Sequence, residues 1–325
     1  PEIGPITGIS TDSRTIKPGE LFVPLQGDRF DGHDYINGLA TRRITTSLCS
    51  EAWLQHQQPP ATISCIAVQD TLRALGDLAA AFRKRFALTM IGVTGSNGKT
   101  TTKEMLAAIL GKVDQGLKTS GNLNNLIGLP QMLFQLKPEH CWAVLEMGMS
   151  EPGEIDRLAE IACPSIGIVL NAYPAHLQSM GSVEAVAQAK GELLHRIQDG
   201  GLAVVNADDP RIASLHQNPS ARRISFGIRR GEVRAEEIQA IGTDGQVFKL
   251  VTPKGSIPIQ LKALGQHNIY NALAAAAGLL ELVGLETIAE GLEAFTPYTG
   301  RFHLEQLSNN RLLIEPSGEI GRAHV

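Results

Sequence analysis

Leu88-Thr-Met-Ile-Gly-Val-Thr-Gly-Ser-Asn-Gly-Lys-Thr-Thr-Thr102 is the stretch on which the reading of the whole chain turns. Leu88 to Val93 is a short apolar run bounded by polar residues, the pattern of a buried parallel strand. Thr94-Gly95-Ser96-Asn97-Gly98 is a turn rich in residues that tolerate positive φ. From Lys99 the period becomes helical, with Met105, Leu106, Ile109 and Leu110 on one face. Strand, glycine loop and helix in that order form a phosphate cradle. Backbone N–H groups and the helix N-terminus face the anion, Lys99 adds a point charge, and Thr100 can offer its hydroxyl to Mg²⁺. The strict pattern G-x-x-x-x-G-K-[ST] asks for glycine at position 93, where this chain has Val93. A loop that merely ends in Gly-Lys-Thr is the competing reading; the strand before and the helix after favour a nucleotide site.

The composition sets outer limits. A chain of 325 residues with 43% hydrophobic and 19% charged residues is that of an ordinary globular protein, long enough for two or three domains. A net charge of −4, with no basic run longer than Arg83-Lys84-Arg85, argues against a nucleic-acid partner. No apolar run approaches the ~18 residues of a membrane span and no signal peptide opens the chain. Cys49, Cys65, Cys141 and Cys163 are scattered without C-x-x-C spacing, so buried reduced thiols and a cytoplasmic location are expected. The start at Pro1 and the tail Glu319-Ile-Gly-Arg-Ala-His-Val325, which reads like a translated DNA-sequencing adapter, suggest a gene truncated at both ends.

Outward from the loop, other polar groups fall at strand ends. Upstream, Thr11-Asp12-Ser13-Arg14 is either a solvated turn or a recognition loop, since Arg beside a hydroxyl suits phosphate or uracil. Thr71 to Phe86 reads as an amphipathic helix leading into the next domain. Downstream, Asn122, Asn124 and Asn125 crowd one loop before a helix; capping accounts for one or two of them, and all three favour a polar ligand. Trp142 to Leu145 is a strand ending on Glu146, where an acid is placed to hold Mg²⁺ directly or through water. Ser165 to Leu170 is a third strand, followed by His176 and a helix bearing Lys190. Leu202 to Val205 ends in Asn206-Ala-Asp208-Asp209. Residues 222–261 read as short antiparallel runs. His267-Asn268-Ile-Tyr-Asn271 opens an alanine-rich helix, a second helix spans about Glu286 to Phe295, and Arg311 to Glu315 is strand-like.

Taken together these segments resemble the Mur ligase family. The resemblance is carried by Thr11-Asp-Ser-Arg14, Pro18-Gly-Glu20, Gly32-His-Asp34, Gly95-Ser-Asn-Gly-Lys-Thr-Thr101, Gly121 through Pro130, Glu146-Met-Gly148, His176, Ala189-Lys-Gly-Glu192, Asn206-Ala-Asp-Asp209, His267-Asn268-x-x-Asn271 and Gly300-Arg301. The phosphate loop and the His-Asn-x-x-Asn set are shared with folylpolyglutamate synthetases. The Asn-rich loop and Glu-Met-Gly point to the branch that adds D-alanyl-D-alanine to UDP-N-acetylmuramoyl-tripeptide in peptidoglycan synthesis.

The resemblance implies an α/β chain: a small mixed N-terminal UDP-substrate domain (1–86), a central P-loop-type parallel-sheet ATPase domain (87–297), the start of a C-terminal domain (298–315) and a non-native tail (316–325). The remainder of the C-terminal Rossmann-like domain would be missing. It also implies roles. Gly95, Ser96, Asn97, Gly98, Lys99, Thr100 and Thr101 would hold ATP phosphates, and Thr100 and Glu146 one Mg²⁺. His176 and Lys190 would serve a second cation, Lys190 as a carbamate. Asn268 and Asn271 would contact the adenine side and Arg301 the phosphates, while Asp12, Ser13, Arg14, Asn122, Asn124 and Asn125 would face the UDP-muramoyl-peptide. A monomer without nucleic-acid partners is expected, and little turnover from the chain as it stands. Another amide ligase of the superfamily, or a nucleotide-binding module without turnover, are the alternatives. A GTPase is disfavoured, because no guanine-reading N-K-x-D follows the loop.

Overall fold

The computed structural model describes residues 4–27, 30–174 and 180–297, with the strands 303–307 and 311–315 beyond them. Two sheets organise it, one parallel and one mixed. The first has strand order β1-β2-β5-β6, from β1 (Gly8–Ser10), β2 (Glu20–Phe22), β5 (Thr46–Ser50) and β6 (Ser64–Val68), all parallel. Beside it lies a short antiparallel pair, β3 (Gln26–Gly27) with β4 (Phe30–Asp31), and then a 3₁₀ stretch, Gly32–Arg42. Asp31 caps that stretch, accepting from the backbone N–H of His33. His33 itself is an internal brace. Its Nε2 accepts the Ser50 backbone N–H at 3.0 Å, so Nδ1 carries the proton and donates to Asp31 at 2.5 Å.

The second sheet has nine strands, in the order β15 (Gly255–Leu261), β14 (Gln246–Thr252), β13 (Val233–Ala240), β12 (Arg222–Gly227), β11, β10, β7, β9 and β8. Its centre is β7 (Thr89–Thr94), flanked by β9 (Trp142–Glu146) and β10 (Ile166–Val169), with β8 (Gly116–Lys118) outside β9 and β11 (Leu202–Asn206) outside β10. All five run parallel. The chain therefore leaves β7 toward one side for β8 and β9, then crosses to the other for β10 and β11. That reversal is a topological switch point, and in such sheets ligands bind outside the carboxyl ends of the strands. Consecutive strand residues feed opposite faces: Ile91 and Val93 join one apolar cluster, Met90 the other.

Helix α3 (Lys99–Leu110) and the later helices α8 (Gln266–Leu279) and α9 (Leu285–Ala294) cover the first face. Helix α8 runs Ala274-Ala-Ala-Ala277 fully buried, small side chains that let it lie close against the strands. Helices α4 (Gly128–Leu133), α5 (Glu154–Ala162) and α6 (Val183–His195) cover the second. The remaining helices are α1 (Glu51–Leu54), α2 (Thr71–Arg83) and α7 (Pro210–Ala213). In α2, Asp70 caps the backbone N–H groups of Leu72 and Arg73.

Two expectations need correction. Residues 222–261 do not form a purely antiparallel patch: β12 (Arg222–Gly227) continues the parallel sheet beside β11 and pairs parallel with β13 (Val233–Ala240), while β14 (Gln246–Thr252) pairs antiparallel with both β13 and β15 (Gly255–Leu261). Cys49 and Cys65 are not separate thiols, because neighbouring strands bring their Cα atoms to 5.8 Å and the sulfurs pair. Cys141 is free but exposed. The thiol argument for a compartment falls accordingly. The strand-like Arg311–Glu315 (β17) is present, paired antiparallel with β16 (His303–Leu307). Among the described residues no helix is long and apolar enough to cross a membrane.

Candidate functional site: the phosphate-loop edge

Parallel pairing brings five strand ends to one edge. In register, Val93 lies opposite Glu146 and Thr94 opposite Val169, so the loop that follows Thr94 emerges between the Glu146 strand and the segment after β10. Val93, where the strict motif has glycine, is a buried core residue of β7. The turn starts later, at Gly95, where a Cβ would come within 2.9 Å of Leu170 Cβ. Gly98 takes φ +85° and opens α3.

The loop is strapped to residues 171–173. Ser96 N–H donates to the Asn171 carbonyl (3.2 Å), and the Ser96 hydroxyl accepts the Tyr173 N–H (3.0 Å). Asn171 grips Asn97 twice, its Oδ1 accepting the Asn97 N–H at 3.0 Å and its Nδ2 donating to the Asn97 carbonyl at 3.1 Å. Asn171→Ala should therefore loosen the loop at little cost to the fold. Two exposed hydrogen bonds at about 1 kcal/mol each set the scale. ADP affinity is expected to fall about tenfold by titration calorimetry, with Tm lowered by only a few degrees.

Lys99 Nζ donates to the Gly95 carbonyl (2.7 Å). The Thr100 hydroxyl lies 3.3 Å from Glu146 Oε2. Glu146 is 2% exposed, and its backbone N–H donates to the Thr119 hydroxyl at 2.9 Å. Oε1 of the same carboxylate has no hydrogen-bond partner, although the Lys103 ammonium lies 3.2 Å away. Lys103, like Asn171, was not singled out from the sequence. The signal was there: Lys103 falls on the α3 face that also buries Leu106 and Leu110, three and seven residues on.

Lys190 sits on α6, 5% exposed. Burial, reinforced by the Lys99 ammonium, pushes its amine down to about 7. Its neighbours in the Lys-Gly-Glu triplet have structural work. Gly191 admits Leu215, whose Cδ2 would stand 2.8 Å from an added Cβ, and Glu192 caps α5 by accepting from Gly153 N–H and Asp156 N–H, both at 2.9 Å.

The asparagine loop reaches the same edge. The Asn124 carbonyl accepts the Gly148 N–H at 2.8 Å, fixing the loop to the chain just past Glu146. Asn125 caps α4, its Oδ1 accepting from Gly128 N–H at 2.8 Å. Asp12 and Arg14 form a bidentate pair that holds the Asp12 carboxyl down to about 2, through the guanidinium hydrogen bond first. Gln131 Nε2 donates to Thr11 Oγ1 at 3.1 Å, which brings that turn beside α4.

At the far side of the loop, Asn271 Oδ1 accepts from the Thr102 hydroxyl and its Nδ2 donates to Asn268 Oδ1, both at 3.3 Å. Asn268 Nδ2 donates to the Leu264 carbonyl at 2.7 Å. Asp208 Oδ2 accepts from the Tyr270 hydroxyl (2.8 Å) and from the N–H groups of Ile228 and Arg229. Burial and this bond push the Tyr270 phenol up to about 12. His176, Gly300 and Arg301, and the tail 316–325, lie outside the described residues.

A glycine turn and helix N-terminus at the switch point of a parallel sheet, with an acidic strand end beside them, define a phosphate-loop α/β protein. Comparison with known families makes the assignment specific: residues 93–279 match the Mur ligase middle domain, and residues 5–83 match the model described as Mur ligase family, catalytic domain. The chain belongs to the Mur ligase family. It is 38% identical over 317 residues to UDP-N-acetylmuramoyl-tripeptide–D-alanyl-D-alanine ligase of Escherichia coli, covering 96% of this chain and 68% of that one. Among solved structures it resembles MurF from Acinetobacter baumannii (TM-score 0.88, 38% identity, 95% of this chain and 67% of that one). It also resembles MurF ligase from Thermotoga maritima in complex with ADP (TM-score 0.82, 26% identity, 93% and 69%). The chain thus spans about two thirds of the length of each of these relatives.

Proposed function

We propose that this chain supplies the UDP-substrate unit (residues 1–86) and the ATP unit (residues 87–297) of an enzyme that joins D-alanyl-D-alanine to UDP-N-acetylmuramoyl-tripeptide in the cytoplasm. The name shared by its relatives supports the substrates. The observation that carries the chemistry is the Thr100–Glu146 pair, 3.3 Å apart at the mouth of the loop.

A carboxylate is a poor acyl donor, so it must first be activated. The terminal carboxylate of the tripeptide attacks the γ-phosphorus of ATP, giving an acyl phosphate and ADP. The amine of D-alanyl-D-alanine then attacks the acyl carbon, and phosphate leaves from the tetrahedral intermediate. Lys99 and the N–H groups of residues 95–101 would hold the β- and γ-phosphates and offset the repulsion between phosphate and carboxylate. Asn268 and Asn271 would lie toward the adenine side and Arg301 toward the phosphates. Asp12, Ser13 and Arg14, with Asn122, Asn124 and Asn125, would face the UDP-muramoyl-peptide.

The residues present fit Mg²⁺. Oε2 of the buried Glu146 carboxylate and the Thr100 hydroxyl beside it form an all-oxygen donor pair. No cluster of three His, Cys, Asp or Glu occurs among the described residues, so phosphate and water would complete the shell, as Mg²⁺ prefers. Bound there, the cation would neutralise charge on the transferring phosphoryl group. Lys190, with its amine near neutral pH, is suited to take up CO₂ as a carbamate and release a proton, becoming an anionic ligand for a second cation with His176.

The test is phosphate release from ATP by a chain of the relatives' full length, given UDP-N-acetylmuramoyl-tripeptide. Release should require D-alanyl-D-alanine. Release with UDP-N-acetylmuramoyl-dipeptide and diaminopimelate or lysine instead would assign it to another branch of the family.

A further inference from the structure

Lys103 takes no part in the roles above, yet it is a charged side chain only 3% exposed on the inward face of α3. Its ammonium lies 3.2 Å from Glu146 Oε1 and 3.0 Å from Glu104 Oε1, and it donates to the Thr119 carbonyl at 2.8 Å. Thr119 in turn accepts the backbone N–H of Glu146 on its hydroxyl. Lys103 and Thr119 therefore hold Glu146 from two directions, one at the carboxylate and one at the main chain. Glu104 is tied outward to Lys118.

The two oxygens of Glu146 are thereby distinguished. Oε1 faces Lys103, while Oε2 faces Thr100. The contact at Oε1 is electrostatic, without hydrogen-bond geometry. An ion pair of this kind fixes the carboxylate's direction without occupying its lone pairs. The four charges of Lys103, Lys118, Glu104 and Glu146 also sum to zero, so a bare dication arriving at Glu146 would find no uncompensated negative charge. A dication already bound to phosphates would bring its own.

We propose that Lys103 is a positioning residue that keeps Glu146 Oε2 turned toward Thr100, so that this edge accepts a divalent cation together with its nucleotide rather than alone. Through Thr119 the same side chain links that orientation to the start of the Asn122–Asn125 loop. This rests on Thr100 and Glu146 being the cation site.

The experiment titrates ADP into this chain calorimetrically, once with excess magnesium chloride and once with EDTA, and reads the ratio of the two affinities. Lys103→Met keeps the stem and removes the charge; Lys103→Gln keeps a donor for the Thr119 carbonyl; Lys103→Arg keeps the charge. The ratio is expected to fall at least fivefold in the Met and Gln variants and to be largely restored in the Arg variant, with EDTA affinities within twofold of wild type. A residue that merely balances Glu104 would lower the melting temperature and leave the ratio alone. A ratio within twofold of wild type in a folded Met or Gln variant would overturn the proposal, and so would collapse of the fold in both. Glu146→Gln separates the two levels. If it too leaves the ratio intact, or if wild type shows no magnesium dependence, the cation site itself is wrong. If Glu146→Gln abolishes the ratio and the Lys103 variants do not, only the role of Lys103 fails.

Discussion

Gly98→Ala is expected to abolish measurable ADP binding, a loss of more than 100-fold, and to cost about 2–4 kcal/mol of stability. Two independent effects converge. At φ +85° an L side chain is strained, and the added Cβ would stand 2.3 Å from Asn271 Oδ1. Asn271 cannot simply step aside, because it is 5% exposed and its amide is committed to Thr102 and Asn268. Relief would have to come from the loop, which would turn its N–H groups away from the phosphates. Gly121→Ala is the control. That glycine also has positive φ, +53°, but nothing lies within 4 Å of its would-be Cβ, so about 1 kcal/mol should be lost. Urea unfolding and ADP titration of both variants check the pair.

The second large effect concerns Lys190. Its amine is near 7 in the folded chain against 10.5 for an ordinary lysine. Between those values the unfolded chain holds a proton that the folded chain does not. The cost of burying the group is therefore full below pH 7 and declines as pH rises toward 10.5. Lys190→Met removes that cost while filling the space. In nucleotide-free, CO₂-depleted buffer the variant should be more stable than wild type at pH 6, and the gap should narrow by about 2 kcal/mol or more by pH 9. A gap independent of pH would show that the lysine is buried with its charge. In a full-length chain the same substitution should lower turnover at least ~100-fold, as loss of a cation ligand does. Stability and activity would then move in opposite directions, as expected where a site is held at the expense of the fold.

The local elements were largely legible. The switch from an apolar run to a glycine turn to a helical period at residues 88–110 needs only a few neighbouring residues to be read, and β7, the loop and α3 appear where the pattern puts them. The strand ending on Glu146 and the helix opening at residue 266 were readable for the same reason. Strand order was not, because it depends on which side of the sheet each crossover takes. The Glu146 strand and the strand leading to His176 are successive in sequence, but β7 lies between them in space. Pairing also hid Cys49 and Cys65, which meet only once β5 and β6 are side by side.

The asparagines divide more finely than composition could show. Asn125 spends its side chain on a helix cap, and Asn124 contributes its carbonyl to Gly148. Asn171 does not stand out in the sequence, since one asparagine after a strand gives no hint that it holds a loop 74 residues away. Lys103 was passed over because a helical lysine is usually solvated, a prior that fails when the helix is buried against a sheet on one face and tied to strand ends on another.

Helix α2 has one more consequence. Leu75, with Ala74 and Leu78, packs into the apolar cluster beneath the first sheet, while Ala79, Ala80 and Phe82 belong to the cluster of the second. Arg157 of α5 reaches across to Asp77 and to the Arg73 carbonyl, clamping the helix from the other side. A boundary drawn after residue 86 therefore divides the chain at a place where thermodynamics does not. Heating should melt residues 4–297 in a single calorimetric transition, and a fragment ending before Thr71 should remain unfolded at temperatures where the whole is native.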